Sequence, residues 1–281
     1  MLSTTNHRRE GFGLNYIYPV ISRRAGGLSI GINLNTNNAC NWRCIYCQVP
    51  GLTRGSAPEI NLELLQQELG EFITGLLEGV NYERFKIPPD HRTIRDIAIS
   101  GNGEPTSAPE FDQIIDAIGR TLRETKIPQE TKLVLITNGS LIQRPPVQKG
   151  IGLLSRSNGE VWFKLDSVTN AGMRRINNAN ITMRTVGKNL TTCAKLCPTW
   201  IQTCVFALDG EPPSVKEQEH YIDFLATTLA AGVQLKGVLL YGIARPSLQP
   251  EAPQLSRLPR TWLEQYAARI SSAGLKVKIH V

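Results

Sequence analysis

The feature that most constrains the fold of this 281-residue chain is a repeated alternation of short apolar runs with longer amphipathic stretches. The short runs are rich in Val, Ile and aromatic residues and end in Gly, Asn, Asp or Ser, which is typical of buried parallel strands. These six runs are Leu28–Leu34, Ile94–Ser100, Leu133–Thr137, Val161–Leu165, Trp200–Phe206 and Leu235–Tyr241. The pattern predicts an α/β fold with a parallel sheet and helices outside it.

Helix candidates with apolar residues at helical spacing lie between and after these runs. They cover Ile60–Gly79, Pro109–Thr125, Val215–Ala231 and Thr261–Ala273. Ser214 directly precedes the third candidate and is a residue type that caps helices. The apolar run Leu275–Val281 predicts a final strand. Six strand–helix units curl a sheet towards a barrel but are fewer than the eight that close a (β/α)8 barrel.

The positions of the predicted strands indicate one core with two additions. We expect an N-terminal extension over residues 1–27, a core barrel over 28–245, and a C-terminal helix and strand over 246–281 that pack on the core. No stretch approaches the roughly 20 apolar residues of a membrane span. The six cysteines are too few for a disulfide scaffold, and their clustering favours metal binding in a reducing compartment. We therefore expect a cytoplasmic protein with no membrane contact.

The formal net charge of +7 is compatible with RNA, phosphorylated small molecules or acidic partners. The basic residues are scattered, with short pairs at Arg8-Arg9, Arg23-Arg24 and Arg174-Arg175. A solvated basic surface accounts for this distribution equally well. Charge alone therefore selects no partner.

Three cysteines, Cys40, Cys44 and Cys47, have the spacing C-x3-C-x2-C. Four thiolates close a zinc site or an iron–sulfur cluster. Three thiolates leave one coordination position open for a substrate or a cofactor, so the spacing indicates chemistry at a metal centre. The alternative on spacing alone is structural zinc with a fourth ligand from elsewhere in the chain.

This motif, with Tyr46 directly before its third cysteine, resembles the signature of the radical S-adenosylmethionine (SAM) superfamily. The resemblance implies a partial (βα)6 barrel in which Cys40, Cys44 and Cys47 hold a 4Fe–4S cluster and SAM binds the open iron. It also implies that a reductant such as flavodoxin or ferredoxin supplies an electron. Reductive cleavage of SAM then yields methionine and a 5′-deoxyadenosyl radical, which abstracts hydrogen from a substrate.

Within that superfamily, the stretch from Tyr18 through Leu34 to Gln48 is similar to wyosine-synthetase-like proteins. Wyosine synthetases modify a guanosine of tRNA and carry a second cluster on cysteines upstream of the motif. The present chain has no cysteine before Cys40, so the resemblance does not extend to that specific activity.

Polar segments follow the predicted strands at the edge where such folds place their active sites. After the second strand comes the segment Ser100–Thr106, which resembles the glycine–glycine–glutamate–proline motif of the superfamily, with Asn102 in place of the first glycine. The resemblance implies that Asn102, Gly103, Glu104 and Pro105 lie at the amino group of SAM. Tyr46 is expected beside the cofactor as well.

The third and fourth strands add four further candidates for cofactor contact. Thr137 and Asn138 follow the third strand, and the resemblance places them near the ribose or carboxylate of SAM, although a simple glycine turn is equally compatible with them. Lys164 and Asp166 share one face of the fourth strand by alternation. We expect these two charges to pair with each other or with SAM, because an unpaired charge inside a barrel is costly.

Candidate substrate residues come from the fifth and sixth strands. They are Gln202, Tyr241 and Arg245. Arg245 suits the binding of an anionic group, because a guanidinium binds carboxylate or phosphate in a bidentate fork. A surface salt bridge is the alternative role for this residue.

The other three cysteines, Cys193, Cys197 and Cys204, have no spacing typical of a cluster. Cys193 and Cys197 lie on a predicted helix, and Cys204 lies inside the fifth strand. Buried free thiols are the simpler interpretation, and a second cluster is the alternative. Three functions are therefore compatible with the sequence: a radical SAM enzyme with RNA as one candidate substrate, an activase that installs a radical on a partner protein, or a non-catalytic metal-binding or electron-transfer protein.

Overall fold

Eight strands form one sheet in the computed structural model, which describes residues 13–280. The strands are β1 (Ile17–Ser22), β2 (Gly27–Ile32), β3 (Ile94–Ile99), β4 (Lys132–Thr137), β5 (Gly159–Lys164), β6 (Thr199–Val205), β7 (Gly237–Gly242) and β8 (Val277–His280). Their order in the sheet is their order in the chain. Strands β2 to β8 are parallel, and β1 pairs antiparallel with β2. The sheet is open, because β1 and β8 are its two edges.

The helices connect and cover the strands. They are α1 (Leu62–Leu77), α2 (Val80–Arg84), α3 (Phe111–Glu124), α4 (Pro145–Arg156), α5 (Asn170–Asn177), α6 (Met183–Leu196), α7 (Val215–Ala230) and α8 (Arg260–Ser271). Helix α7 begins with a capping box, in which Ser214 and Glu217 each satisfy a backbone N–H of the first turn. Two short two-stranded pairings join Ala39–Cys40 to Thr53–Arg54 and Ala207–Leu208 to Leu255–Ser256.

Alternation along the strands gives the sheet two different faces. One face packs on the helices through fully buried residues such as Ile30, Ile97 and Leu135. Burying each such side chain stabilises the fold by about 1.5–3 kcal/mol. The other face carries a smaller apolar layer that includes Val134 and Trp162, and the cavity described below opens on this face.

The predicted α/β sheet with external helices is confirmed. The six predicted strands correspond to β2 to β7, and the final strand predicted over Leu275–Val281 is β8. The predicted extension over residues 1–27 contains β1, which the sequence did not reveal; its first twelve residues lie outside the described part of the chain, as does Val281. Pro19 weakens the strand signal, yet proline is tolerated in an edge strand such as β1.

No helix within residues 13–280 combines the length and the apolar character that crossing a lipid bilayer requires.

Candidate active site

The three motif cysteines line one cavity of about 270 Å³. Cys40, Cys44 and Cys47 lie in the loop between β2 and α1, and all three are free and half-buried. Burial raises the pKa of the Cys40 thiol to about 12 and raises the pKa of the Cys44 thiol as well. Both thiols therefore keep their protons at neutral pH until a metal displaces them.

Backbone hydrogen bonds hold the cysteine loop between α5 and the segment after β7. The N–H of Ile45 donates to the carbonyl of Ile176 at 2.8 Å. The hydroxyl oxygen of Ser247 lies 2.7 Å from the carbonyl oxygen of Ile45 and 3.1 Å from that of Cys47, so its one proton is shared between these two acceptors. The loop is thus positioned by partners that are distant in sequence.

An ion pair joins the same loop to the C-terminal part of the chain. Arg43 binds Glu251 in a bidentate geometry, with nitrogen–oxygen distances of 2.8 and 2.6 Å. Hydrogen bonding to this partner raises the pKa of the Arg43 guanidinium and lowers the pKa of the Glu251 carboxyl. The pairing places residue 43, between two of the cysteines, against residues of the predicted C-terminal addition.

Asparagine side chains connect the cysteine loop to the turn after β3. The N–H of Asn102 donates to Oδ1 of Asn33 at 2.9 Å, and Nδ2 of Asn102 donates to Oδ1 of Asn38 at 2.6 Å. The two segments approach so closely that a Cβ on Gly103 would lie 2.0 Å from the carbonyl oxygen of Ala39. Glycine is therefore required at position 103 by the packing of the cysteine loop.

Glu104 connects the turn after β3 to the end of β4. Its Oε1 accepts from the hydroxyls of Thr106 and Thr137, each at 2.6 Å, and from the N–H of Thr106 at 3.1 Å. Its Oε2 accepts from the N–H of Asn138 at 2.6 Å. Burial raises the pKa of this carboxyl, and these hydrogen bonds oppose the shift. Oε2 accepts one hydrogen bond within the described residues and keeps capacity for another donor.

The end of β4 also contacts the cysteine loop directly. Nδ2 of Asn138 donates to Oδ1 of Asn41 at 2.8 Å, and Nδ2 of Asn41 donates to the hydroxyl of Ser140 at 2.8 Å. One hydrogen-bonded unit therefore joins three segments that the sequence indicated separately. They are the cysteine loop, the turn that contains Glu104, and the strand end at Thr137–Asn138.

Asp166 is connected to the cysteine loop by hydrogen bonds. Its Oδ2 accepts from the hydroxyl of Tyr46 and, at 2.8 Å, from Nδ2 of Asn177. Its Oδ1 accepts from the N–H of Cys204 at 2.9 Å. The same Nδ2 of Asn177 donates to the sulfur of Cys44 at 3.2 Å. Asp166 thus links β5, β6 and the cysteine loop.

Lys164 does not pair with Asp166 in an ion pair within residues 13–280. Its Nζ instead lies 4.9 Å from the centroid of the Tyr46 ring, in a cation–π contact. Burial alone would lower the pKa of this ammonium, but its electrostatic interactions with Tyr241, Cys44 and Asp166 raise the pKa overall. Lys164 is therefore a cation in the wall of the cavity.

The cavity brings together most of the residues that the sequence predicted. Besides the three cysteines, its lining includes Tyr46, Asn102, Gly103, Glu104, Asn138, Lys164, Gln202, Tyr241 and Arg245. Pro105, Thr137 and Asp166 are not among the lining residues, and the last two act through the hydrogen bonds described above. Gln202 is 1% exposed, and its Nε2 has no hydrogen-bond partner in the described part of the chain.

Arg24 is a cavity residue that the sequence did not reveal. It lies in the turn between β1 and β2, and its Cζ lies 5.4 Å from the centroid of the Trp162 ring and 5.2 Å from that of the Tyr241 ring. In the sequence it was half of a basic pair with the appearance of a solvated surface. No local signal marks a side chain that reaches into the cavity from this turn.

The remaining cysteines divide into two groups. Cys193 and Cys197 are buried in the core between the helices and the sheet, and burial raises the pKa of each thiol to about 12. Cys204 is also buried but lines the cavity and packs near Cys44. Among residues 13–280, no group of three His, Cys, Asp or Glu side chains is placed to hold a single metal ion.

No protein-family profile matches the chain. A UPF0026 protein of Helicobacter pylori strain J99 is 27% identical over 240 residues, which cover 85% of this chain and 68% of that protein. A UPF0026 protein of Methanocaldococcus jannaschii is 31% identical over 159 residues, which cover 57% of this chain and 42% of that protein. A second Helicobacter pylori relative is matched over 44% of its length. The chain thus spans between two fifths and two thirds of these relatives.

Two solved structures have a similar fold. The structure of TYW1 with a lysine-pyruvate adduct bound superposes with a TM-score of 0.56 and 16% identity, covering 87% of this chain and 73% of that chain. The structure of a radical SAM methyltransferase from Sphaerobacter thermophilus gives a TM-score of 0.55 and 15% identity, covering 90% and 66% of the two chains. The expected fold is therefore confirmed: the open sheet of this chain is a partial barrel like that of the radical SAM methyltransferase.

Proposed function

We propose that this protein is a radical SAM enzyme that holds one 4Fe–4S cluster on Cys40, Cys44 and Cys47 and binds SAM in the adjoining cavity. The observation that supports this proposal most directly is that the three cysteines and Glu104 line the same cavity. When bound, the cluster would supply the electron that cleaves SAM and so generates the radical that abstracts hydrogen from the substrate.

The donor set suits a cluster better than a single ion. A zinc ion binds its thiolates at about 2.3 Å, so its ligands must crowd together. A 4Fe–4S cluster distributes its cysteine ligands over different iron atoms and therefore accepts thiols that stand further apart. The absence of a single-ion site among residues 13–280, together with three thiols around one cavity, favours the cluster.

The chain offers complementary charges for SAM on either side of the cysteines. Glu104 keeps acceptor capacity on Oε2 for an ammonium group, and the hydrogen bonds from Thr137 and Asn138 fix its orientation. Lys164 is a cation in the cavity wall and suits a carboxylate. Tyr46 and Phe206 pack with their ring centroids 5.7 Å apart, in an apolar cluster that also contacts Cys44.

RNA is a candidate substrate, supported by the net charge of +7 and by the cationic side chains in the cavity wall. A reductant such as flavodoxin or ferredoxin would deliver the electron, and the reducing conditions that the cluster needs suit the cytoplasm. Modification of a partner protein is the alternative for the same chemistry.

Anaerobic reconstitution with iron and sulfide tests the proposal. We expect a brown protein, with about four iron atoms on each chain, whose reduced cluster shows an electron paramagnetic resonance spectrum that changes when SAM is added. The non-catalytic alternative predicts a metal that is fully ligated by thiolates and does not respond to SAM. A colourless zinc protein, or a cluster whose spectrum is identical with and without SAM, would contradict the proposal.

A further inference from the structure

A group of basic side chains, here called the cationic seam, lies near the turn between β1 and β2 and the edge strand β8. It consists of Arg23, Arg24, Arg257 and Lys278. Arg23 and Arg24 follow β1, and Lys278 lies on β8. The charges of Arg24, Lys278 and Arg23 all act on His280 at the end of β8, so the turn between β1 and β2 lies near the opposite edge strand.

The positive charge of the cationic seam is only partly neutralised by the protein. None of its four members forms an ion pair with a carboxylate within residues 13–280. Burial lowers the pKa of the Arg23 guanidinium, and the charges of Arg24 and Arg257 lower it further. These cations repel one another, and an anionic ligand would relieve that repulsion.

Two carboxylates lie near the cationic seam, and neither forms an ion pair with its members within residues 13–280. Glu160 binds Lys236 at 3.8 Å and accepts from the indole nitrogens of Trp162 and Trp200 at 2.9 and 3.3 Å. Asp96 is buried, and desolvation raises the pKa of its carboxyl to about 6. Glu160 is thus already engaged. Asp96 has a pKa of about 6, so it is mostly ionised at neutral pH and offsets one of the four positive charges, which leaves the cationic seam with net positive charge.

The cationic seam opens into the cavity of the cysteines. Arg23 and Arg24 line that cavity together with Cys40, Cys44 and Cys47. Arg24 is stacked on the rings of Trp162 and Tyr241, which hold its guanidinium in place. A ligand whose anionic group is held by these arginines therefore lies in the same cavity as the cysteines.

We propose that the cationic seam binds a phosphate monoester of the substrate, either a nucleotide-sized molecule or the 5′-phosphate end of an RNA. This inference rests on the proposed function, because it assigns the substrate class of the same cavity. A phosphate monoester carries nearly two negative charges at neutral pH and three acceptor oxygens. It therefore suits several unpaired cations better than a carboxylate with one charge.

Binding of adenosine 5′-monophosphate to the reconstituted protein, followed by equilibrium dialysis, tests the site. We expect Arg24→Gln to weaken binding by about tenfold or more, because it removes charge-assisted hydrogen bonds from a partly buried phosphate. Arg24→Lys keeps the charge but loses the planar fork, so it should show an intermediate loss. Arg184→Gln, which removes an exposed arginine on α6, is the matched control and should bind like the unaltered protein.

A second binding measurement distinguishes the two sources of the phosphate. It compares the affinity for a short oligoribonucleotide that carries a 5′-phosphate with the affinity for the same oligonucleotide ending in a 5′-hydroxyl. Tighter binding of the phosphorylated form than of both the hydroxyl form and adenosine monophosphate would assign the site to an RNA end. Tighter binding of adenosine monophosphate would assign it to a small phosphorylated molecule. Equal binding of the hydroxyl and phosphate forms, with no effect of Arg24→Gln, would overturn the proposal.

Release of 5′-deoxyadenosine without substrate distinguishes this inference from the proposed function. The Arg24→Gln variant should still cleave SAM while losing phosphate affinity. Loss of SAM cleavage together with loss of phosphate binding would show that the arginines serve the cofactor, and the inference would be wrong. Phosphate binding that depends on Arg24 in a protein that never cleaves SAM would instead refute the proposed function and leave the phosphate site intact.

Discussion

The carboxylate of Glu104 accepts a hydrogen bond from the backbone N–H of Asn138 at 2.6 Å, and so joins the turn after β3 to the end of β4. The two residues are 34 positions apart in the chain. Because Asn138 also contacts Asn41 in the cysteine loop, this bond belongs to a network that includes the candidate cluster ligands. The carboxylate therefore has a structural role in addition to any contact with SAM.

Glu104→Gln should destabilise the protein even without any cofactor. A glutamine side chain would place an amide N–H opposite the backbone N–H of Asn138 or Thr106. A backbone N–H can only donate a hydrogen bond, so two donors would face each other. We expect a loss of roughly 1–3 kcal/mol in the free energy of unfolding. Urea denaturation measures this loss. Glu219→Gln, at an exposed position on α7, is the matched control, and equal stability of the two variants would refute the structural role.

Gly103→Ala should displace the cysteine loop. Its Cβ would lie 2.0 Å from the carbonyl oxygen of Ala39 and 2.6 Å from Cγ of Asn35, and the first of these is backbone that cannot rotate away. We expect a destabilisation of roughly 1–3 kcal/mol and a lower iron content after reconstitution.

Gly152→Ala is the control for this substitution. A Cβ at Gly152, within α4, would meet nothing within 4 Å. Replacing this glycine by alanine should stabilise the protein by about 0.4–1 kcal/mol, because alanine lowers the conformational entropy of the unfolded chain. A Gly103→Ala protein that is as stable and binds as much iron as the Gly152→Ala protein would show that the close approach at Ala39 does not matter.

Asp96 should make the stability of the protein depend on pH. Burial raises the pKa of its carboxyl from 3.8 to about 6. The folded state therefore binds this proton more tightly than the unfolded chain does. The bound proton stabilises the folded state fully below about pH 4, and this stabilisation is lost as the pH rises through about 6. The full effect of a shift of this size is about 3 kcal/mol.

Asp96→Asn should remove this contribution. Urea denaturation at several pH values should show that the unaltered protein loses more stability than the variant between about pH 4 and about pH 7. Asp223→Asn, at an exposed position on α7, should retain the pH dependence of the unaltered protein. Parallel curves for the unaltered protein and Asp96→Asn would show that the buried carboxyl does not titrate in this way.

The elements that the sequence predicted best are those with a strong apolar period. Helix α3 was predicted because Ile114, Ile115 and Ile118 recur on one face, and all three are buried. The strand β1 was missed because an edge strand with Pro19 has no run of the kind that marks a central strand. Five of the six residues of β1 are buried, but Pro19 interrupts the apolar run, so the run did not indicate a strand.

The candidate site was predicted in its conspicuous residues and missed in its supporting ones. Cys40 and Glu104 stand in recognisable motifs, and the structure places both at one cavity. Asn33, Asn38 and Asn177 orient these segments through side-chain hydrogen bonds. Asparagine is so common in turns that its sequence position alone does not distinguish such a role.

The central claim is that three thiolates hold a cluster with one open iron. The most direct test compares Cys44→Ala with Cys204→Ala and measures the release of 5′-deoxyadenosine from SAM after anaerobic reconstitution and reduction. Both thiols lie at the same cavity, but only Cys44 belongs to the motif. We predict that Cys204→Ala keeps its cluster and releases 5′-deoxyadenosine, whereas Cys44→Ala loses both. Cleavage retained by Cys44→Ala, or a cluster lost from Cys204→Ala, would contradict the assignment of three thiolates and one open iron.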